Sequence, residues 1–237
     1  EYQVGPGEDV ADLESASADP AFLAWLLRED GGWSVEAARV DSDGPAVSAQ
    51  VTVAESAADL DDVGVAVDGD VLAVTWKNVS RSTIELAVRR GGTWQRHRFA
   101  GAAIVDEPSI ALRDGVPVVA WQDRRNGTRA IQLAALRGDA VESTRFGAGV
   151  TGEGSPSLAA VGDRIAVASV DGDTSTATLR FASLSAGGLS VTEPQELGPA
   201  RPRSTTRAGG GTVTVDVAAS GERVSVLWTD FRTAIVR

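Results

Sequence analysis

Acidic residues gather just ahead of several short apolar runs, and their carboxylates are the side chains best suited to chemistry. They are Glu8, Asp9, Asp61, Asp62, Asp106, Glu107 and Glu153. A pair of carboxyl groups held about 5 to 10 Å apart can hydrolyse a glycosidic bond, one as acid and the other as nucleophile or base. The same oxygens could bind Ca²⁺, or they could simply be solvated loop residues in a chain of net charge −11. We take Asp9, Asp62 and Glu107 as candidate ligand contacts.

An Asp-x-Arg spacing occurs twice, each time directly after a tryptophan that ends an apolar run. The two copies are Asp123, Arg124 and Arg125, and Asp230, Phe231 and Arg232. Each aspartate is expected to stiffen the following loop by accepting hydrogen bonds from backbone N–H groups or from the arginine. Alternatively, the arginines bind the carboxylates or sugar hydroxyls of a ligand, and the phenylalanine offers a surface on which the ligand can stack. All six except Asp230 are candidate ligand contacts.

A basic segment breaks the acidic character of the chain. Residues 198–211 contain Arg201, Arg203 and Arg207, several glycines and no acidic residue. In a chain of net charge −11, such a loop is a candidate for holding an anionic ligand. A tolerated loop insertion explains it equally well.

Composition excludes several classes of function. The 237 residues include no Cys and one His, His97, so thiolate chemistry, Cys-bound zinc and His-pair metal motifs are excluded. The net charge of −11 argues against a nucleic-acid partner. Apolar runs fall far short of the ~20 residues that a membrane helix needs. The absence of Met indicates a processed chain or part of a larger polypeptide. We expect no cofactor, with Ca²⁺ as the exception to test.

A repeated unit organises the elements that must position these residues. Its second apolar run reads AFLAW, VLAVTW, VPVVAW, RIAVAS and VSVLW in successive copies. The copies recur at intervals of about 45 to 60 residues, and each contains tight Gly-containing turns and alternating β-branched residues. Four antiparallel strands per unit at this period are typical of a propeller blade. The sequence therefore predicts an all-β protein with a β-propeller fold.

The two ends of the chain are complementary in phase. The last copy stops in its third strand at residues 233–237, and residues 1–4 align with a fourth strand. Pairing these segments would close a ring of five blades without free edges. The predicted blades are 5–54, 55–101, 102–148, 149–197, and 208–237 with 1–4. The alternative is a fragment of a six- or seven-bladed propeller.

The hairpin AVRRGGTW of the second blade has the spacing of an Asp box, SxDxGxxW, although only Gly91 and Trp94 match it. With the repeat, it resembles the sialidase-like, BNR-repeat propellers over the whole chain. In that family the box is a structural hairpin away from the active site. Catalysis there requires an arginine triad, a Tyr/Glu pair and an acidic Asp, whereas Tyr2 is the only tyrosine here. The resemblance therefore implies the fold and disfavours sialidase activity.

These observations predict a non-catalytic recognition module that binds a glycan or a protein at the loop face around the central channel. A glycoside hydrolase using carboxylates at the channel mouth is the first alternative. A structural domain of a larger surface or secreted protein is the second. We expect the protein to lie outside the cytoplasm, in an extracellular, cell-surface or periplasmic location.

Overall fold

The computed structural model describes residues 9–16, 21–29, 31–40, 47–100, 107–125, 127–147, 155–171, 176–200 and 215–229. These residues form strands and turns, and none of them lies in a helix. Accordingly, the described residues include no apolar helix of membrane-spanning length.

The strands form antiparallel sheets that follow one another along the chain. Sheet 1 contains β1 (Asp9–Ala16), β2 (Ala21–Glu29), β3 (Gly32–Val40) and β4 (Val47–Ser56). Sheet 2 contains β5 (Leu60–Asp68), β6 (Val71–Asn78), β7 (Thr83–Arg90) and β8 (Thr93–Ala100). Sheet 3 contains β9 (Ser109–Arg113), β10 (Val116–Arg125), β11 (Thr128–Arg137) and β12 (Ala140–Phe146). In each of these sheets the strands are ordered as they occur in the sequence.

The last two sheets depart from this pattern. Sheet 4 contains β13 (Ser157–Val161), β14 (Arg164–Asp171), β15 (Thr176–Ser185), β16 (Gly188–Val191) and β17 (Gln195–Pro199). Both β16 and β17 pair with β15, at opposite ends, and Thr192 continues the pairing through Phe181. Pro194, which has no N–H to donate, lies at the interruption. Sheet 5 shows β18 (Val215–Ser220) paired with β19 (Arg223–Trp228).

In sheets 2 to 5, tight turns join the first and second strands, as the sequence predicts. In sheet 3 this turn is Asp114-Gly115, whose φ angles are 51° and 69°. Two successive residues with positive φ suit the right-handed twist of a hairpin, and glycine reaches this conformation at low cost. Sheet 2 holds the turn in place, because Gly115 N donates to Asp68 Oδ2 at 2.9 Å and its carbonyl accepts from Arg90 Nη2 at 2.8 Å.

Separate apolar clusters fill the spaces between successive sheets. Trp76 packs in the cluster between sheets 1 and 2, and Trp121 packs between sheets 2 and 3. Further clusters join sheet 3 to sheet 4 and sheet 4 to sheet 5. Sheets 2, 3 and 4 thus bury both faces against neighbouring sheets, as blades of a β-propeller do. Residues 1–4 and 233–237, which the ring-closure prediction concerns, lie outside the described residues, so the number of blades stays a prediction.

Candidate functional site

The first strands of the five sheets surround a cavity of about 520 Å³, which we call the channel cavity. The starts of β9, β13 and β18 line it, together with the middle of β5 and the later part of β1. Its acidic lining residues are Asp12, Glu14, Glu107 and Asp216. Its hydroxyl-bearing lining residues are Ser15, Ser109, Ser155 and Ser157. Within the described residues, no Arg, Lys, His or aromatic side chain lines it.

Asp12 and Asp216 hold neighbouring sheets together. Asp12 Oδ2 accepts a hydrogen bond from Val63 N of sheet 2 at 2.7 Å. Asp216 Oδ1 accepts from Ser157 Oγ of sheet 4 and from its neighbour Val217 N, both at 2.8 Å. Through these hydrogen bonds, the aspartate oxygens position the strands that surround the cavity.

The serines of the channel cavity make equivalent links. Leu158 N donates to Ser109 Oγ at 3.0 Å, joining sheets 3 and 4. Val217 N also donates to Ser157 Oγ at 3.1 Å. Between sheets 2 and 3, Gly64 allows close approach, because a Cβ there would lie 3.3 Å from the carbonyl oxygen of Pro108. The spacing of the first strands is thus set by short polar contacts.

Glu14 and Glu107 are the two glutamates of the channel cavity, and both are exposed to it. Ser155 Oγ donates to Glu107 Oε2 at 3.2 Å. Partial burial raises the pKa of Glu14, and the negative charges of Asp12, Glu107 and Asp216 raise it further. A hydrogen bond from the backbone of Ser15 opposes this rise. Glu14 therefore retains its proton more readily than an ordinary glutamate.

We expect Glu14→Gln to stabilise the protein at pH 7, by about 0.5 kcal/mol or less because solvent screens this exposed group. A raised pKa means that the folded state binds the proton more tightly, so the Glu14 contribution to stability falls as pH rises above about 4.5. Urea unfolding between pH 4 and 7 tests this. The stability of the variant relative to wild type should increase with pH, and a decrease would contradict the assignment.

The structure brings one of the three candidate loop carboxylates, Glu107, into the channel cavity. Asp9 is exposed on β1 and lies outside the residues that line the cavity. Asp62 lies at a bulge in β5 with φ of 50°, and Lys77 Nζ contacts its Oδ2 at 2.9 Å and Asp61 Oδ2 at 3.3 Å. Asp62 is thus paired with the only lysine of the chain.

Burial is the largest influence on both members of the Asp62–Lys77 pair. It raises the pKa of Asp62, and the hydrogen bond and charge of Lys77 only partly offset this rise. Burial would lower the pKa of Lys77, but its contacts with Asp62 and Asp61 outweigh that and raise it. This arrangement supports a structural role for Asp62.

The first Asp-x-Arg copy lies within a strand and not in a loop, contrary to expectation. β10 continues four residues past Trp121, where Asp123 pairs with Ala130 and Arg124 with Arg129. Asp123 is fully buried, whereas Arg124 is exposed. The backbone of Arg125 pairs with Thr128. Neither Asp123 nor Arg124 lines the channel cavity.

The remaining candidate ligand contacts lie outside the described residues: Phe231, Arg232, Arg201, Arg203 and Arg207. The sequence-based search missed Asp12, Glu14 and Asp216, because it looked for acids in loops and these lie within β1 and β18. A signal was available for Glu14 and Asp216. Each is an acidic residue inside the first strand of a repeat, at the position where the other copies have Gly64, Ser109 or Ser157.

No group of three or more His, Asp or Glu side chains in the described residues has an arrangement suited to a metal ion. The described carboxylates of the channel cavity provide hydrogen-bond acceptors and negative charge. Serine hydroxyls beside them can both donate and accept. The combination suits a ligand rich in hydroxyl or amino groups.

No protein-family model matches the sequence, and no curated protein matches it. Solved structures do match. A neuraminidase-like protein from A/bat/Guatemala/164/2009 aligns over 94% of this chain and 75% of its own length, with a TM-score of 0.57 and 11% identity. Trypanosoma rangeli sialidase aligns over 93% of this chain and 44% of its own length, with a TM-score of 0.54 and 13% identity.

At these identities the two likenesses concern the fold and do not extend to activity or ligand. They agree with the successive four-stranded antiparallel sheets and with the first strands arranged about the channel cavity. The hairpin at Gly91 and Gly92 also forms where the sequence resembles an Asp box, with Arg89 paired to Trp94. The chain is therefore a β-propeller whose fold is similar to that of sialidase-like proteins.

Proposed function

We propose that this β-propeller is a recognition module that binds a neutral or amino-bearing glycan in the channel cavity. The observation that carries the proposal is the lining of carboxylates and serine hydroxyls without a described basic residue. Sugar hydroxyls donate hydrogen bonds to carboxylates, and charge-assisted hydrogen bonds of this kind are the stronger class. The volume of about 520 Å³ falls within the range of small-molecule sites.

The charge of the channel cavity selects among glycans. Four carboxylates line it, so an anionic sugar would be repelled whereas a cationic amino group would be attracted. Glu14 and Glu107 are the proposed ligand contacts, because both side chains are exposed to the cavity, whereas Asp12 and Asp216 link neighbouring sheets. The role is proposed as non-catalytic because the residue set used for catalysis in the resembled family is not present, Tyr2 being the only tyrosine of the chain.

The test is a glycan-array screen of the purified chain, followed by NMR titration with any glycan that binds. The double variant Glu14→Gln/Glu107→Gln should weaken binding by about tenfold or more, as expected for losing two charge-assisted hydrogen bonds. Asp70→Asn/Asp139→Asn removes the same charge from exposed residues outside the cavity and should bind normally. Equal losses in both variants would contradict the site.

No binding across the array would remove the glycan proposal. A protein partner, or a structural role in a larger surface protein, would then account better for the acidic cavity. The extracellular, cell-surface or periplasmic location belongs to the same proposal, since glycans of surfaces and matrices are met there.

A glycoside hydrolase is the second proposed function, and the raised pKa of Glu14 favours it. A carboxyl group whose pKa is raised by burial and by neighbouring carboxylates is the kind of group from which a general acid is built. Turnover of nitrophenyl glycosides by the wild-type chain, reduced about a hundredfold or more in Glu14→Gln, would identify this activity. Binding without turnover supports the recognition module instead.

A further inference from the structure

A second cavity, of about 640 Å³, lies between sheets 1 and 2 at the outer strands, and we call it the outer cleft. The end of β4 and residues 57–58 form one wall, and β6, β7, β8 and the turn after β6 form the rest. It is separate from the channel cavity, with which it shares no lining residue. Any function of the outer cleft is therefore independent of the glycan proposed above.

The floor of the outer cleft is rigid. Trp76 lines it and is 1% exposed, because the indole packs in the apolar cluster between sheets 1 and 2. Arg96 crosses from β8 to sheet 1, where its Nη2 donates to the carbonyl oxygen of Val53 at 2.6 Å. These contacts fix the separation of the two walls.

Two further arginines meet in the cleft, and Glu85 holds them. Arg81 Nη1 lies 3.6 Å and Arg98 Nε lies 3.5 Å from Glu85 Oε1. Asn78 Nδ2 donates to the same oxygen at 3.2 Å. The side chains of Arg81 and Arg98 are 56% and 54% exposed, whereas that of Glu85 is 16% exposed.

The arginines keep donors available. Glu85 contacts a single nitrogen of each, and no other described residue contacts the remaining guanidinium nitrogens of Arg81 or Arg98. Three arginines and two glutamates, Glu85 and the exposed Glu55, line the outer cleft. The cleft is thus net positive in a chain of net charge −11.

We propose that the outer cleft binds an oxyanion, a carboxylate or sulfate, through Arg81 and Arg98. Planar guanidinium groups match both anions with paired N–H donors. Glu85 acts as a positioning residue, orienting the two guanidinium groups from below. Arg96 sets the width of the cleft and adds positive charge.

The experiment is an NMR titration of the isotopically labelled chain with inorganic sulfate, with glucuronate and with glucose. Saturable shifts at residues 81, 85 and 98 with sulfate or glucuronate, and none with glucose, are expected. Equal affinities for sulfate and glucuronate would identify a site that recognises the anion alone. A higher affinity for glucuronate would identify an anionic sugar as the ligand.

Arg81→Gln/Arg98→Gln should weaken this binding by about tenfold or more. The matched control Arg89→Gln/Arg223→Gln removes the same charge outside the cleft and should leave binding unchanged. Equal weakening in both variants would show general charge attraction and overturn the proposal. Absence of localised shifts in the wild-type chain would overturn it as well.

Discussion

Replacing Arg180 by alanine is expected to destabilise the protein by about 2 to 4 kcal/mol. Arg180 is 5% exposed, and its Nη1 donates to Thr178 Oγ1 at 2.9 Å and to Ser169 Oγ at 3.2 Å. Its guanidinium lies 5.0 Å from the ring centre of Phe146 in sheet 3, and Asp171 lies 3.6 Å from Nη2. Urea unfolding of the variant measures the loss.

Arg180 replaces a tryptophan that sheet 4 lacks. Trp76 and Trp121 occupy the second strands of sheets 2 and 3, and Ser169 occupies the corresponding position of sheet 4. The strand pairing aligns Arg180 with Ala87 and Ala134 of those sheets. In sheets 2 and 3 the large residue, tryptophan, lies on the second strand and the small residue, alanine, on the third. In sheet 4 the small residue, Ser169, lies on the second strand and the large residue, Arg180, on the third. Because Arg180 Nη1 donates to Ser169 Oγ, we infer that the arginine side chain occupies the space that the indole takes in sheets 2 and 3.

This exchange predicts that Ser169→Trp and Arg180→Ala compensate each other. Ser169→Trp alone should destabilise the protein, because the indole and Arg180 would compete for one space. The double variant Ser169→Trp/Arg180→Ala recreates the pair found in sheets 2 and 3. Its loss of stability should be smaller than the sum of the single losses by about 1 kcal/mol or more. Additive losses would show that the two residues do not share a space.

The apolar pattern of the sequence predicted the four-stranded order of sheets 1 to 3, but not the additional strand β17 of sheet 4. Each predicted second run is a second strand, and the turn at Asp114-Gly115 lies between β9 and β10. The strand ends were harder to predict. Asp123 is polar and follows a tryptophan, so the pattern indicated a loop, whereas β10 buries it and continues to Arg125.

The candidate site was predicted only in part, for a physical reason. Glu107 was found because it precedes an apolar run. Glu14 was not found, because its raised pKa depends on burial and on the charges of Glu107 and Asp216, which are distant in the sequence, as well as on that of Asp12. Only the ring of first strands brings these charges together. The outer cleft likewise depends on contacts between sheets, which a single repeat cannot reveal.

Trp121→Ala is expected to have the largest effect of any single change considered, about 3 to 5 kcal/mol. Trp121 is 1% exposed and packs in the cluster between sheets 2 and 3. Its ring is stacked on that of Phe99, with the ring centres 5.7 Å apart. Removing it leaves a cavity that two sheets would have to move to fill. Thermal or urea unfolding monitored by circular dichroism measures the loss.

Trp121→Phe separates the role of ring packing from that of the indole N–H. No described residue accepts a hydrogen bond from Trp121 Nε1, so losing this donor should cost nothing. Phenylalanine keeps an aromatic ring against Phe99 and should cost about 2 kcal/mol or less, because it leaves a smaller cavity. Equal losses for Trp121→Phe and Trp121→Ala would mean that the indole N–H, and not ring packing, accounts for the stabilisation.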